Sequence, residues 1–372
     1  MDIRILLHDY TLKFSFLDIF SYLCPLNMRN SANTYLVLRF QSLGNVAMMI
    51  PILASVAMEN PEDEFVVVTN ERLQDLFFGL KNVNCLSLDS VSSLAKNKSV
   101  SRLYAEIKRD YAITHVVDLQ NNSYSRMLDF RFRLAGKHVT ILHKDRKAKR
   151  RLCRNGYAES APLTTEFKRY ADTFQRAGLK YVNRFTTMPV NTEAAAAINR
   201  SFGDKQGTWI AIAPFAKSKT NMLPYRITKE VIANCARRKN TRVFLFGAGK
   251  VECEMLNQWA DLFDNVDNVA GKLSIAEELE LMRKLDLMLC MDSANQHLAS
   301  LVSLRCLSVW CGTHPIAGFY GWKQRQSDII QQPLSCRPCT MHGRNRCRFR
   351  NFLCRNFTSA EITQRMEQIL KE

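Results

Sequence analysis

The chain has 372 residues, for which two domains is the natural expectation. Its 47% hydrophobic and 23% charged content is that of an ordinary globular protein, and no apolar run reaches the roughly 18–20 residues of a membrane span. The net charge of +17 and a pI near 9.5 favour anionic partners (nucleic acid, an acidic membrane surface or a phosphorylated ligand) without bearing on the fold.

Residues 1–33 contain the apolar, aromatic stretch TLKFSFLDIFSYLCPL. Asp18 interrupts it, no basic cluster precedes it and no small-residue cleavage site follows, which argues against a signal peptide. It reads as an upstream extension, with Met28 as a second possible start, or else as a short amphipathic helix on a membrane surface.

From Tyr35 the pattern becomes regular. YLVLRF is a strand, the loop QSLGN follows, and an apolar helix containing Pro51 runs to about Glu59. EFVVVT (Glu64–Thr69) is a strand, NERLQDLFF a helix, VNCLSLD (Val83–Asp89) a strand and Val100–Asp110 a helix. ITHVVDL (Ile113–Leu119), a helix over Ser123–Leu134 and KHVTIL (Lys137–Leu142) complete the first series. Lys144 to Pro162 is less regular, Glu166–Ala177 is a helix, and Tyr181–Val190 reads as a linker.

The alternation then restarts with TWIAIAP (Thr208–Pro214), a helix Ile227–Arg238, RVFLFG (Arg242–Gly247) and a helix Lys250–Phe263. A helix Ser274–Lys284, strand LDLMLCMD (Leu285–Asp292), helix Asn295–Leu301 and strand LRCLSVW (Leu304–Trp310) follow. A last helix, about Ser359–Lys371, starts at the capping box Thr358-Ser-Ala-Glu361. Repeated β-α units predict an α/β protein with two doubly wound parallel sheets.

The candidate chemistry lies at the carboxyl ends of these strands, where ligands bind in open parallel sheets. In QSLGNV, Gly44 permits close backbone approach and Asn45 stands at the start of a helix. In LCMDSANQHLA, Asp292 ends a strand, the backbone N–H groups of Ala294 and Asn295 suit a diphosphate, and His297 lies one turn in. Taken alone, the pair reads more simply as a helix cap at Asp292 and a core histidine at His297. In PFAKSKTNMLP, Lys217 and Lys219 could face phosphates or be solvated surface lysines. Glu252 follows Gly247-Ala-Gly249, and the loop WCGTHPIAGFYGW is rich in glycine and aromatics.

Two basic segments stand out. HKDRKAKRRLCR (His143–Arg154) has seven Lys/Arg against one Asp. CRPCTMHGRNRCRFRNFLCR (Cys336–Arg355) has six Arg, no acid and four cysteines, Cys336, Cys339, Cys347 and Cys354. The spacing C-x2-C-x7-C-x6-C fits a structural role as thiols or a disulfide better than zinc, because the second pair is not C-x2-C. The other cysteines are scattered singly and read as small core residues.

These motifs, in this order, resemble the heptosyltransferase family (glycosyltransferase family nine) over Tyr35–Glu372. That family opens with Ser-Leu-Gly-Asp-Val and carries Asp-x-Gly-x-x-His at the position of Asp292–His297; here Asn45 replaces the acid and Ala294 the glycine. The resemblance implies a GT-B-like fold of two Rossmann-type domains facing a cleft. Its parts would be an extension (1–33), an acceptor-side domain (34–185), a donor domain (186–357) and a C-terminal helix (358–372) packed back on the first domain.

It implies inverting transfer of a heptose-like sugar from a nucleotide-diphosphate donor to a hydroxyl of lipopolysaccharide core or a lipid-linked glycan, without a bound metal or cofactor. Lys217, Lys219, Asn221 (where the family has a lysine), Glu252, Asp292, Ala294 and His297 would bind an ADP-heptose-like donor. Gly44, Arg146, Lys147, Lys149 and Arg150 would bind the anionic core or lipid A acceptor, placing the protein in the cytoplasm at the inner-membrane face. The family's base is the acid replaced by Asn45, which can orient a hydroxyl but not take its proton; Asp118, at the end of its strand, is the expected substitute. The alternatives are a catalytically impaired relative that only binds nucleotide-sugar or glycolipid, and a basic nucleic-acid-binding protein. Against the latter, no RNA-binding signature and no aromatic platform interleaves the charges.

Overall fold

The computed structural model describes residues 33–88 and 97–372. The expectations for the N-terminal extension and for Asp89 lie outside the described residues.

The first half holds β1 (Thr34–Leu38), α1 (Leu43–Glu59), β2 (Glu64–Asn70), β3 (Val83–Leu88), α2 (Asn97–Asp110), β4 (His115–Asp118), α3 (Ser123–Leu134) and β5 (His138–Ile141). α4 (Arg146–Asn155), α5 (Glu166–Arg176) and α6 (Thr192–Phe202) lead to the second half. There follow β6 (Thr208–Ala213), α7 (Tyr225–Ala236), β7 (Thr241–Leu245), α8 (Lys250–Ala260), β8 (Val266–Asn268), α9 (Ile275–Lys284), β9 (Leu287–Met291), α10 (Ala294–Leu301), β10 (Cys306–Trp310), β11 (Ile329–Gln331) and α11 (Ser359–Lys371).

Both sheets are parallel throughout, in the orders β3-β2-β1-β4-β5 and β11-β10-β9-β6-β7-β8. Strand order reverses between β1 and β4 in one sheet and between β6 and β9 in the other. At such switch points the loops leave to opposite faces and open a crevice at the carboxyl edge. Gly44 and Asn45 follow β1, Asp118 ends β4, Lys217–Asn221 follow β6 and Asp292 follows β9. Topology therefore sets the candidate residues at the two crevices.

α1 explains how the halves meet. Val46 through Ala57 are all buried, so the helix has no solvent face. A helix that is apolar all round must be covered on every side. Here one core joins residues of β1, β2, α1 and α5 to Leu298 and Ala299 of α10 and Leu279 and Met282 of α9. Pro51 sits inside α1 without ending it; Ser55 Oγ donates to Pro51 O at 2.7 Å and accepts the N–H groups of Arg184 and Phe185. A second core lies under α2 and α3, and a third under α7, α8 and α11.

Four expectations are corrected. The segment 144–162 contains a helix, α4, which shows no apolar stripe because Leu152 is its only buried side chain. α6 occupies part of the stretch left unassigned between the linker and the second series; Asn191 caps it and only Ala194 and Ile198 are buried. Residues Glu71–Phe77 form a 3-10 rather than an α turn. The last helix packs on the second half, not the first: Ile362, Met366 and Ile369 enter the core with Ile227 and Val231, and Arg238 pairs with Glu367 at 3.1 Å. The two additional strands, β8 and β11, have three residues each, too few to show alternation.

Candidate active site

The loop after β1 turns through Ser42, whose φ is 55°. Asn45 Nδ2 donates to Ser42 Oγ at 2.5 Å, and the Tyr170 hydroxyl donates to Asn45 O at 3.3 Å. A Cβ on Gly44 would lie 3.2 Å from His297 Cδ2 and 3.4 Å from Ala294 Cα. Gly44 is thus the point where the two crevices meet: it lets the Asn45 loop rest directly on the first turn of α10.

Asp118 is brought to the same crevice but is fully buried. Its Oδ1 accepts the N–H groups of Gln120 and Asn121 at 2.8 and 2.7 Å, and its Oδ2 accepts Ser125 Oγ at 2.8 Å. Asp129 lies beside it with no donor among the described residues for either oxygen. Burial and the Asp118 charge push the Asp129 carboxyl up to about 8; it is a neutral acid that holds a proton toward Asp118. Gln120, fixed in this way, accepts from Arg39 Nη1 at 3.2 Å and from Gln41 N at 3.3 Å. Asp118 therefore shapes the loops around Asn45, and its oxygens are committed to that task.

The mouth of α10 has the opposite character. Asp292 Oδ2 accepts the Thr313 hydroxyl at 2.6 Å, and burial still pushes its carboxyl up to about 6. His297 is 7% exposed, and burial holds its ring near 4, so it is neutral at physiological pH. Ser293 Oγ, Gln296 Oε1 and His297 Nδ1 are all buried and have no partner among the described residues. Buried polar atoms are rarely left unpaired, and each costs about 1–3 kcal/mol when they are. Three of them within five residues, beside the free N–H groups that open a helix, mark a place for a polar and anionic ligand. Ala294 is the first residue of this helix and does not have a positive φ, so its site does not demand a glycine.

The loop after β6 divides. Lys217 and Lys219 are exposed, with Lys219 lying 5.7 Å over the Phe352 ring. Asn221 is 3% exposed and donates to His342 O at 3.4 Å, and Gly343, with φ 77°, packs so closely that a Cβ would meet Asn221 Oδ1 at 2.3 Å. Asn221 thus fastens the Cys/Arg-rich segment to this loop. Thr220 reinforces the join, exchanging hydrogen bonds with Arg344 at 2.9 and 2.7 Å. Glu252 accepts Ala248 N at 3.0 Å and steadies the Gly247–Gly249 turn; burial raises its carboxyl above the usual range.

On α4, Arg146, Lys147 and Arg150 are exposed. Lys149 turns inward, 3.8 Å from Glu166 Oε2 and 5.4 Å over the Phe319 ring of the second half, and burial lowers its affinity for its proton. Cys336, Cys339, Cys347 and Cys354, with Cys153 of α4, line one cavity of about 490 Å³ as free thiols.

Several residues at the site were not singled out from sequence. Ser293 and Gln296 lie inside a quoted motif, and only their unpaired burial marks them. Arg39 is buried at the end of β1, and its signal was a charge inside the apolar run YLVLRF. Arg337 is fully buried without a carboxylate and donates to Trp310 O at 2.8 Å and Thr313 O at 2.7 Å, bracing the loop that carries Asp292's partner. Nothing in a run of six arginines distinguishes it.

The profile of glycosyltransferase family 9 (heptosyltransferase) matches residues 102–348. No curated protein sequence matches the chain. Among solved structures, a family 9 glycosyltransferase from Veillonella parvula superposes with a TM-score of 0.71 at 14% identity, over 91% of this chain and 97% of that one. ADP-heptose lipopolysaccharide heptosyltransferase II of E. coli gives 0.67 at 14% identity, over 91% and 98%. E. coli heptosyltransferase WaaC, solved with ADP-2-deoxy-2-fluoro heptose, gives 0.61 at 16% identity, over 90% and 99%. At these identities the likeness speaks for the fold, a GT-B-like pair of Rossmann-type halves.

Proposed function

Because the chain belongs to glycosyltransferase family 9, the heptosyltransferases, we propose that it transfers a heptose-like sugar from an ADP-type nucleotide donor to a hydroxyl of an anionic glycan, in lipopolysaccharide core or lipid-linked form, with inversion. The observation that carries this reading is the set of unpaired polar atoms at the mouth of α10, Ser293 Oγ, Gln296 Oε1 and His297 Nδ1, beside a helix N-terminus. The WaaC structures contain ADP or an ADP-heptose analogue, a diphosphate of the kind such a mouth accommodates. Lys217 and Lys219 add charge from the loop after β6, Asp292 follows β9, and Glu252 stands in the first turn of α8 after β7. Among the described residues no helix is long and apolar enough to cross a membrane; the exposed Arg146, Lys147 and Arg150 suit peripheral attraction to an anionic inner-membrane face from the cytoplasm.

In the reaction the acceptor oxygen bonds to the anomeric carbon as the bond to the diphosphate breaks, and the diphosphate leaves with the electron pair. The hydroxyl proton needs an acceptor at the Asn45 loop. Asn45 offers an amide, and Asp118 has no free oxygen. His297 is a neutral ring whose Cδ2 edge, the one that carries Nε2, lies against Gly44, with Nδ1 on the opposite edge left to the donor. The negative charge of a bound diphosphate raises its proton affinity. We assign it the proton.

The test is turnover with a panel of nucleotide-heptoses and core acceptors. His297→Ala is expected to lower kcat by about 10²-fold or more, the usual worth of a general base, and Asn45→Asp to restore most of that loss. A second reading, donor binding without turnover, draws on the amide at Asn45. It holds if wild type and Asn45→Asp both bind ADP and neither makes product. If no nucleotide stabilises the protein against heating, both readings fail; a ligand at a hundredfold its Kd adds about 2.7 kcal/mol.

A further inference from the structure

The carboxyl edge of the first sheet holds a charge imbalance that donor binding does not use. Arg39 follows β1, Lys144 follows β5, Lys149 lies on α4 and Arg169 on α5. Arg39 and Arg169 are each 5% exposed. One carboxylate, Glu166, touches this group: Arg169 Nη1 pairs with it at 2.8 Å and Lys149 Nζ lies at 3.8 Å. Among the described residues no ion pair reaches Arg39 or Lys144. Asp118, within electrostatic reach of Lys144, has both oxygens on other donors.

The donors are also under-used. Arg39 reaches Leu119 O at 3.1 Å and Gln120 Oε1 through Nη1, but among the described residues its Nε has no acceptor, and neither has Arg169 Nη2. Buried cations with idle donors are costly, because the charge has left water and gained no counter-charge. Lys144 and Lys149 stay partly exposed, so the group is open toward solvent at one side. Burial and the neighbouring cations both lower the proton affinity of Lys144, which registers the crowding of positive charge.

The position is specific. Arg39 lies 5.7 Å from the Tyr170 ring centroid, and the Tyr170 hydroxyl holds Asn45 O. The cationic group therefore stands one side chain away from the loop that would orient the acceptor hydroxyl, on the half opposite the donor mouth.

We propose that Arg39, Lys144, Lys149 and Arg169 form a subsite for a phosphate monoester carried by the acceptor sugar, close to the hydroxyl that attacks. A dianion fits because the four cations share one ion-paired carboxylate, Glu166, with Asp118 and Asp145 acting only at longer range, and because guanidinium groups match phosphate oxygens in charge and geometry. The inference rests on the glycosyl-transfer reading for its word "acceptor"; the anion site itself does not.

Calorimetric titration of the full-length chain tests it, with a hexose 6-phosphate and with inorganic phosphate, each in the presence and absence of saturating ADP. The sugar phosphate is expected to bind with ADP present, at least as tightly as inorganic phosphate. Lys149→Met and Arg169→Gln should each weaken it about tenfold or more, while ADP affinity stays within twofold. Lys149 is partly exposed, so its variant keeps the test open if Arg169→Gln does not fold. Displacement of the sugar phosphate by ADP, binding of inorganic phosphate alone, or unchanged affinity in both variants would overturn the assignment. Sugar-phosphate binding in a protein that ignores ADP would support the anion site and overturn the nucleotide-sugar reading.

Discussion

The two crevices that meet at Gly44 are built on the same principle and finished differently. On the acceptor side the loop after β4 is shaped by Asp118, whose oxygens are taken by Gln120, Asn121 and Ser125, and the idle donors of that side lie on Arg39 and Arg169. On the donor side, the first turn of α10 leaves Ser293, Gln296 and His297 with unpaired atoms. A self-satisfied network holds a shape; a deficient one awaits a ligand. The difference teaches where to look for chemistry: the residue at a strand end that looks most like a catalyst by type, Asp118, is the one most fully occupied.

The most damaging way to break the contrast is at Arg337. Its guanidinium supplies the carbonyls of Trp310 and Thr313, and Thr313 in turn holds Asp292. Arg337→Met strands those buried acceptors, each worth about 1–3 kcal/mol, so a loss on the order of 3 kcal/mol is expected in denaturant melts. ADP affinity should fall with it, since the donor mouth loses its brace, whereas hexose-phosphate binding on the other half should persist in whatever fraction stays folded.

A substitution at Asp129 tests the acceptor side alone. Its carboxyl is held neutral up to about 8, whereas in the unfolded chain it ionises near 4. The folded chain therefore keeps a proton that the unfolded chain releases. That contribution to stability is full below about 4 and declines as pH rises to about 8. Asp129→Asn, with an amide to donate to Asp118, should remove the decline: melts at pH 5 and pH 8 should differ less in the variant than in wild type. A variant with the same pH dependence as wild type would mean that Asp129 does not hold the proton. ADP affinity should not change.

The smallest effect is expected at Lys217. It is exposed and makes no ion pair among the described residues, so Lys217→Ala should leave the melting temperature unaltered. If it faces the donor diphosphate, ADP affinity falls by about tenfold or less, and the loss shrinks as salt is added, because exposed charges are screened. Unchanged affinity at low salt would confine the donor site to α10 and its neighbours.

Much of this architecture was legible because strand and helix periods repeat. The residues of both switch points stood at strand ends in the sequence, and α3 and α11 have the bounds their patterns indicate. What escaped was decided by burial. α4 carries one buried apolar side chain and so has no stripe to read. α11 has an apolar stripe that any groove could take, and sequence alone does not say which half supplies it. Asp118, at the end of β4, and Asn221, in a loop, are polar residues at positions where exposure is the ordinary expectation; neighbours distant in sequence bury both. Arg39 was visible as a charge within a strand, yet its meaning depends on Arg169 and Lys144, which only the fold brings near.

One join has a consequence in time. The loop after β6 takes its form from residues 121 to 124 positions further on, through Asn221 to His342 and Thr220 to Arg344. A nascent chain leaves the ribosome amino end first, and each half can begin to fold as it emerges. The sheet that carries Asn45 can thus be complete while the loop bearing Lys217 and Lys219 still lacks its template. The lysine loop of the donor side is finished late, and a chain stalled before residue 342 would present the acceptor crevice beside an incomplete donor side.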